Sequence, residues 1–259
     1  MAAGDVDVKI TTLNGRAGAV FDGVDDFVDV THNANQLGAS LANGFTIGAW
    51  INTRGYGEGG VGEVVGKNTS GGADNGFHWA MRAANTNIEF SINGAVGKIL
   101  SATGSITHRT WAHFLIIIKP DSTGTWYKNG VLSGTENQAP NGVIADITTT
   151  NDIRIGNRGA STDKSFDGTI SDVQMWNRVL TQAEITAVAA DKPITNGRIV
   201  NIPLKTDYTG GTNSGSYLSI VDDAVATQIS GQRVLGQVSG AYMITGLKGG
   251  QIASIAVTE

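Results

Sequence analysis

Cysteine is absent from the 259 residues, which excludes disulfides and thiolate metal sites and leaves stability to packing or to an oxygen-ligated ion. Charge is sparse: 16% of residues are Asp, Glu, Lys or Arg, with a formal net charge of -5. Lys and Arg form no cluster, which excludes the basic face that a nucleic-acid partner needs. Long apolar runs are missing as well. Residues 114–118 form one of the longest and are far too few to span a bilayer, so no membrane partner is expected. Met1 to Asp7 lack a basic segment followed by an apolar one, so no secretory leader is expected.

What is present is turn chemistry and short apolar runs. There are 36 Gly, and 40% of residues are hydrophobic. This pattern suits many strands joined by loops and argues against disorder. β-type runs are predicted near 45–52, 62–67, 77–83, 87–93, 111–119, 124–128, 152–155 and 166–176. Asn129-Gly130 and Asn93-Gly94 follow such runs and signal hairpins, because both residue types tolerate φ > 0. Residues 114–118 are apolar on both sides, which suits a central strand covered on both faces. One helix is expected after Thr181, with Glu184 completing a capping box, Leu180 and Ile185 placed for a hydrophobic staple, and Pro193 closing the segment. Beyond Pro193, further short strands (199–204, 217–221, 241–245, 252–257) carry few large apolar residues. The chain therefore divides into 1–192, a large β domain, and 193–259, a β segment that either completes the sandwich or serves docking and oligomerisation.

The run Phe21-Asp22-Gly23-Val24-Asp25-Asp26-Phe27-Val28 resembles the opening signature of laminin-G-like jelly-roll domains. Phe45-Thr46-Ile47-Gly48-Ala49-Trp50-Ile51, Trp111-Ala112-His113-Phe114, Tyr127-Lys128-Asn129-Gly130 and Ile155-Gly156 are similar to later blocks of that family, in the same order. Phe166-Asp167-Gly168-Thr169-Ile170-Ser171-Asp172-Val173, continuing through Trp176-Asn177-Arg178 to Glu184-Ile185, resembles its closing strand and helix. The resemblance implies an all-β, antiparallel jelly-roll sandwich of the concanavalin-like kind, with one short helix and a small C-terminal β segment. The family's usual first strand is missing before Phe21. Arg198-Ile199-Val200-Asn201-Ile202-Pro203-Leu204 looks like it, so this segment is expected to supply that strand to its own sandwich or to a neighbouring subunit.

The same resemblance implies a structural calcium held by Asp22, Asp25 and Asp172, in an oxygen-rich set that suits a hard cation. Service in turns and at solvated positions is the competing role for these aspartates. Sugars stack on exposed aromatic faces. Tyr56, in the Gly-rich 54–62 loop, and Trp126, placed outward if Tyr127 points inward, are the aromatic candidates for glycan contact. His78 and Arg82 share one face of their strand and join them. Trp50, Trp79, Trp111 and Trp176 are expected in the core.

Catalysis is not expected. Glycoside hydrolysis needs two carboxylates flanking a cleft, whereas Glu58, Glu63, Glu89, Glu136 and Glu184 are scattered along the chain. The four histidines include no H-E-x-x-H pair, and no G-x-S-x-G elbow occurs. The expected function is a non-catalytic structural or adhesion subunit of a virion, made in a host cytoplasm without a leader, with capsid proteins or copies of itself as partners. The alternative is a carbohydrate-binding lectin-like module, extracellular, with surface glycans as partners.

Overall fold

A computed structural model describes residues 9–68, 75–93, 97–140, 142–159 and 163–204, and the backbone of 216–217. Two sheets face each other. The first contains β1 (Lys9–Leu13), β2 (Arg16–Asp22), β4 (Phe45–Thr53), β9 (Ala112–Ile118), β10 (Gly124–Lys128), β11 (Val131–Leu132), β13 (Asp167–Trp176) and β14 (Arg198–Ile202). The second contains β3 (Val28–Val30), β5 (Val61–Lys67), β6 (Phe77–Arg82), β7 (Asn87–Ile92), β8 (Ile99–Leu100), β12 (Ile153–Ile155) and β15 (Ser216–Tyr217).

Strand order in the first sheet is β1-β2-β13-β4-β9-β10-β11, with β14 beside β13; in the second it is β15-β3-β12-β5-β6-β7-β8. Pairing is antiparallel throughout except for the parallel contact of β15 with β3. This is the expected jelly-roll sandwich. Arg198–Ile202 pairs with the C-terminal half of β13, so it lies in the chain's own sheet. Of the other C-terminal strands read from the sequence, 241–245 and 252–257 lie outside the described residues.

Alternation drives the layering. Phe45, Ile47, Ala49 and Ile51 of β4 point between the sheets, where Phe77, Trp79 and Met81 of β6 and Ile88, Phe90 and Ile92 of β7 meet them. Phe77 stacks on Phe90 at 5.6 Å, and Phe21 meets Phe166 edge-on at 6.1 Å. Close packing fixes Gly156: its φ is +85°, and a Cβ there would lie 2.2 Å from the Phe21 ring. The Asn129-Gly130 hairpin forms as read, with φ of 51° and 81°.

A second core lies on the outside of the first sheet. The helix α1 (Gln182–Ala189) packs Ile185 and Val188 on Leu115, Ile117, Tyr127 and Trp176. Its start is fixed locally. Thr181 caps the Glu184 N–H, Glu184 returns to the Thr181 N–H, and Arg178 grips the same carboxylate through two bonds of 2.7 and 2.9 Å. Those donors, Arg178 first, pull Glu184 down to about 2. Residues 114–118 are covered on both faces as expected, by the intersheet core and by this helix.

Candidate functional site

The outward face of the second sheet gathers charge. In β6, His78, Ala80 and Arg82 alternate away from the core; in β7, Asn87, Glu89 and Ser91 do the same. Register fixes their neighbours. Asp29, Arg154, Gly66, His78 and Ser91 form one row across five strands, and Glu63, Ala80, Glu89 and Leu100 form the next.

Glu89 is the hub. It is only 2% exposed, yet it receives Lys98 Nζ at 2.7 and 2.9 Å, Arg82 Nη2, and His78 Nε2 at 3.2 Å. Burial pushes its carboxyl upward, but the bonds from His78, Arg82 and Lys98 outweigh that and hold it at about 2. Because an ionised carboxylate only accepts, His78 donates from Nε2 to Glu89, while its Nδ1 lies 3.1 Å from the Ser91 hydroxyl. Across the sheet, Arg154 forms a two-bond fork with Asp29 at 2.7 and 2.9 Å and lies 3.7 Å over the Phe27 ring.

The structure thus brings His78 and Arg82 together, as their alternation predicted. It also corrects the expectation that the glutamates are scattered. Glu63 and Glu89 stand in one row on either side of Ala80, about 10 Å apart at Cα by two strand spacings. The Glu63 carboxylate lies over Gly66, where a Cβ would approach its Oε1 to 1.8 Å. Glu89, Lys98 and Ser91 were not singled out in the sequence. The signal that could have found them is the pairing of 77–83 with 87–93 across a short turn, which sets Glu89 diagonal to Arg82.

The aromatic candidates fare differently. Trp126 does not point outward: it is completely buried between the sheets, edge-on to Trp79 at 5.3 Å, and donates Nε1–H to the Ile99 carbonyl at 2.9 Å. It offers no face to a ligand. Tyr127 points the other way, beneath α1. Tyr56 is half-buried against the main core and edge-on to His108 at 4.5 Å, so its neighbours are not those of His78. Trp79 and Trp176 are core as expected, but Trp50 and Trp111 are only half-buried on the outside of the first sheet. Arg16 covers the Trp50 ring at 3.8 Å, and Trp111 donates to the Leu13 carbonyl at 2.6 Å.

The metal set is also redrawn. Asp22, Asp25 and Asp26 each place a carboxylate oxygen within 4.8 Å of the others. One oxygen of Asp22 accepts the Val24 N–H at 2.8 Å, and one of Asp26 accepts the Asp22 N–H at 2.9 Å, so the turn is self-supporting. The donor set fits a hard cation such as calcium. Asp172 is not part of it. β13 pairs with Asp22 at Asp167, five residues away, which is about 17 Å along a strand. Asp172 sits instead in a bulge with φ of 52° and binds Arg16 at 2.8 Å.

A family model described as the concanavalin A-like lectin/glucanases superfamily matches residues 22–186, more than half of the chain. The chain belongs to that superfamily. Among solved structures, the enzymatically active domain of tailspike protein 2 from bacteriophage CBA120 is similar with a TM-score of 0.58 and 12% identity, over 78% of this chain and 32% of that one. Ruminococcus gnavus IT-sialidase CBM40, solved with α2,3-sialyllactose, gives a TM-score of 0.47 and 19% identity, over 63% and 95%. The heptameric SAP-like pentraxin of Limulus polyphemus gives 0.48 and 18%, over 83% and 96%. No curated protein matches in sequence. The superfamily fold is lectin-like, and among the described residues no helix is long and apolar enough to cross a membrane.

Proposed function

We propose that this chain is a non-catalytic glycan-binding module whose ligand face is the outside of β6–β8. The observation that carries this reading is the buried Glu89 with Arg82, Lys98 and His78 held around it. Fixed donors and acceptors on a rigid sheet suit recognition of sugar hydroxyls at small entropic cost. The same bonds take Glu89 out of the proton-donor role in hydrolysis. A carboxyl held at about 2 stays ionised at neutral pH and so does not serve as the proton donor a glycosidase needs.

On a glycan array the wild type is expected to bind neutral glycans, with Arg82→Ala and Lys98→Ala each weakening binding by roughly ten-fold or more, the worth of one charged hydrogen bond. Release of reducing sugar by the wild type, lost in both Glu63→Gln and Glu89→Gln, would replace binding by catalysis. Carriage on a virion is the finer setting of the same reading; co-sedimentation with particles tests it, and a protein that never leaves the soluble fraction rules it out.

Calcium belongs to this reading as a structural ion. Asp22, Asp25 and Asp26 would hold it, away from the ligand face. Adding calcium after chelation is expected to raise the melting temperature by a few degrees, on the order of 1 kcal/mol. Asp25→Asn is expected to abolish the rise, and an unchanged wild-type melt removes calcium from the account.

A further inference from the structure

A buried cation holds one end of the sandwich shut. Lys67, the last residue of β5, is 0% exposed, and its Nζ lies 2.9 Å from His32 Nδ1, 3.2 Å from Gln36 Oε1 and 2.5 Å from the Asn151 carbonyl oxygen. Burial lowers its pKa to about 8, with Asp152 opposing, so the amine is still mostly an ammonium at neutral pH. An ammonium offers three hydrogens and no lone pair, and the three neighbours take one each. His32 therefore meets it with an unprotonated Nδ1. His32 and Gln36 lie on the segment that crosses from β3 in the second sheet to β4 in the first, and Leu41 of that segment is buried in the intersheet core. Gly38 closes the same end. It donates to the Ile147 carbonyl at 2.6 Å, and a Cβ on it would lie 2.2 Å from the Ile144 carbonyl oxygen.

We infer that His32 and Lys67 form an acid-sensitive clasp, in which a proton on the imidazole sets two cations against each other and frees residues 31–38 from the end of the sandwich. The clasp is independent of the glycan-binding reading. His32 is half-buried, so a proton reaches it while the sheets stay together, whereas Lys67 and Gln36 are enclosed. The charged groups facing it are Lys67 from β5 and Asp152, just before β12, whose Oδ1 accepts the His32 backbone N–H at 2.9 Å. Gln36 and Asn151 are neutral. Burial first and Lys67 second lower the imidazole pKa from its ordinary 6.5, against the smaller pull of Asp152. A freed His32 binds a proton that the clasped one refuses, so the clasp is fully favoured above pH 6.5 and weakens as the pH falls below it. Lys67 stays charged throughout that range, because its own value lies above it.

The test is amide hydrogen exchange of the full chain from pH ~7.5 to pH ~5, corrected for intrinsic rates, with the central strand β4 reporting the opening of the whole fold. The opening constant of residues 31–38 is expected to rise by up to about ten-fold per pH unit below pH 6.5, the limit for one proton, and to exceed that of β4 throughout. His32→Asn gives Lys67 an amide oxygen that takes up no proton, and exchange at 31–38 is then expected to lose its pH dependence relative to β4. Should that variant fail to fold, an NMR titration of the wild-type His32 ring carries the test. Its midpoint is expected below 6.5 and is expected to coincide with loss of protection at 31–38. Protection at 31–38 that is flat with pH, or that tracks β4 at every pH, overturns the clasp. So does a wild-type pH dependence in His32→Asn. None of these outcomes touches sugar binding, so the glycan-binding reading stands or falls apart from them.

Discussion

Trp126→Ala is expected to destabilise the sandwich by about 3–5 kcal/mol, among the largest losses available from a single core truncation. The ring is fully buried, packs edge-on against Trp79, and touches the intersheet core on all sides. Its removal opens a cavity that two hydrogen-bonded sheets cannot collapse to fill. It also strips the buried Ile99 carbonyl of its Nε1 donor, which accounts for roughly 1–3 kcal/mol of the total. Trp126→Phe keeps most of the packing and loses mainly that bond. Urea denaturation of the three proteins gives the ordering wild type, phenylalanine, alanine. Glycan affinity of the folded phenylalanine variant is expected to stay within about two-fold of wild type, since no face of this residue reaches solvent. Normal stability together with lost binding would return Trp126 to the ligand site.

The misplacement of Trp126 shows where sequence reading stops. Alternation correctly sent Trp126 and Tyr127 to opposite faces, but it cannot say which face is solvent when both are covered. β10 lies beside β9 under α1, so Tyr127 is packed by the helix and Trp126 by the other sheet. The alternating β4 and the wholly apolar β9 are legible, as is α1, because a capping box is a local signal, whereas β1 and the seven-residue β2 are not among the runs read. β3, β8 and β11 have only two or three residues and depend on long-range pairing rather than on their own pattern. The Glu89 hub depends on register. Glu63, Arg82 and Glu89 lie on β5, β6 and β7, with Lys98 just before β8, and only the antiparallel pairing aligns them. Asp172 was misassigned for a similar reason. A bulge between Ser171 and Gln174, with Asp172 at positive φ, turns its carboxylate to Arg16, and nothing in the local residue types announces it.

Mild acid is expected to weaken the fold through His113. This side chain is 2% exposed on the outside of the first sheet, 5.4 Å from the Trp50 ring, with no partner at Nδ1. Burial, aided by the Arg16 guanidinium and opposed by Asp191, lowers its pKa from 6.5 to about 3. The sign follows from proton counting. Between those two values the unfolded chain binds a proton that the folded chain refuses, so stability is full above pH 6.5 and declines as pH falls toward 3. At about 1.4 kcal/mol per pH unit, roughly 3 kcal/mol is lost between pH ~7 and pH ~4. Glu89 contributes in a lower window, because its carboxyl must be protonated between its ordinary 4.5 and about 2. His113→Leu also removes an unmet buried nitrogen, and its folding free energy is expected to fall much less than that of the wild type between pH ~7 and pH ~4.5, the remainder coming from His32, whose pKa burial also lowers, with further loss below that where Glu89 and Glu184 titrate. Urea denaturation of both proteins across that range decides the matter: a leucine variant that loses stability in parallel with wild type would mean that His113 takes up its proton without opening the fold.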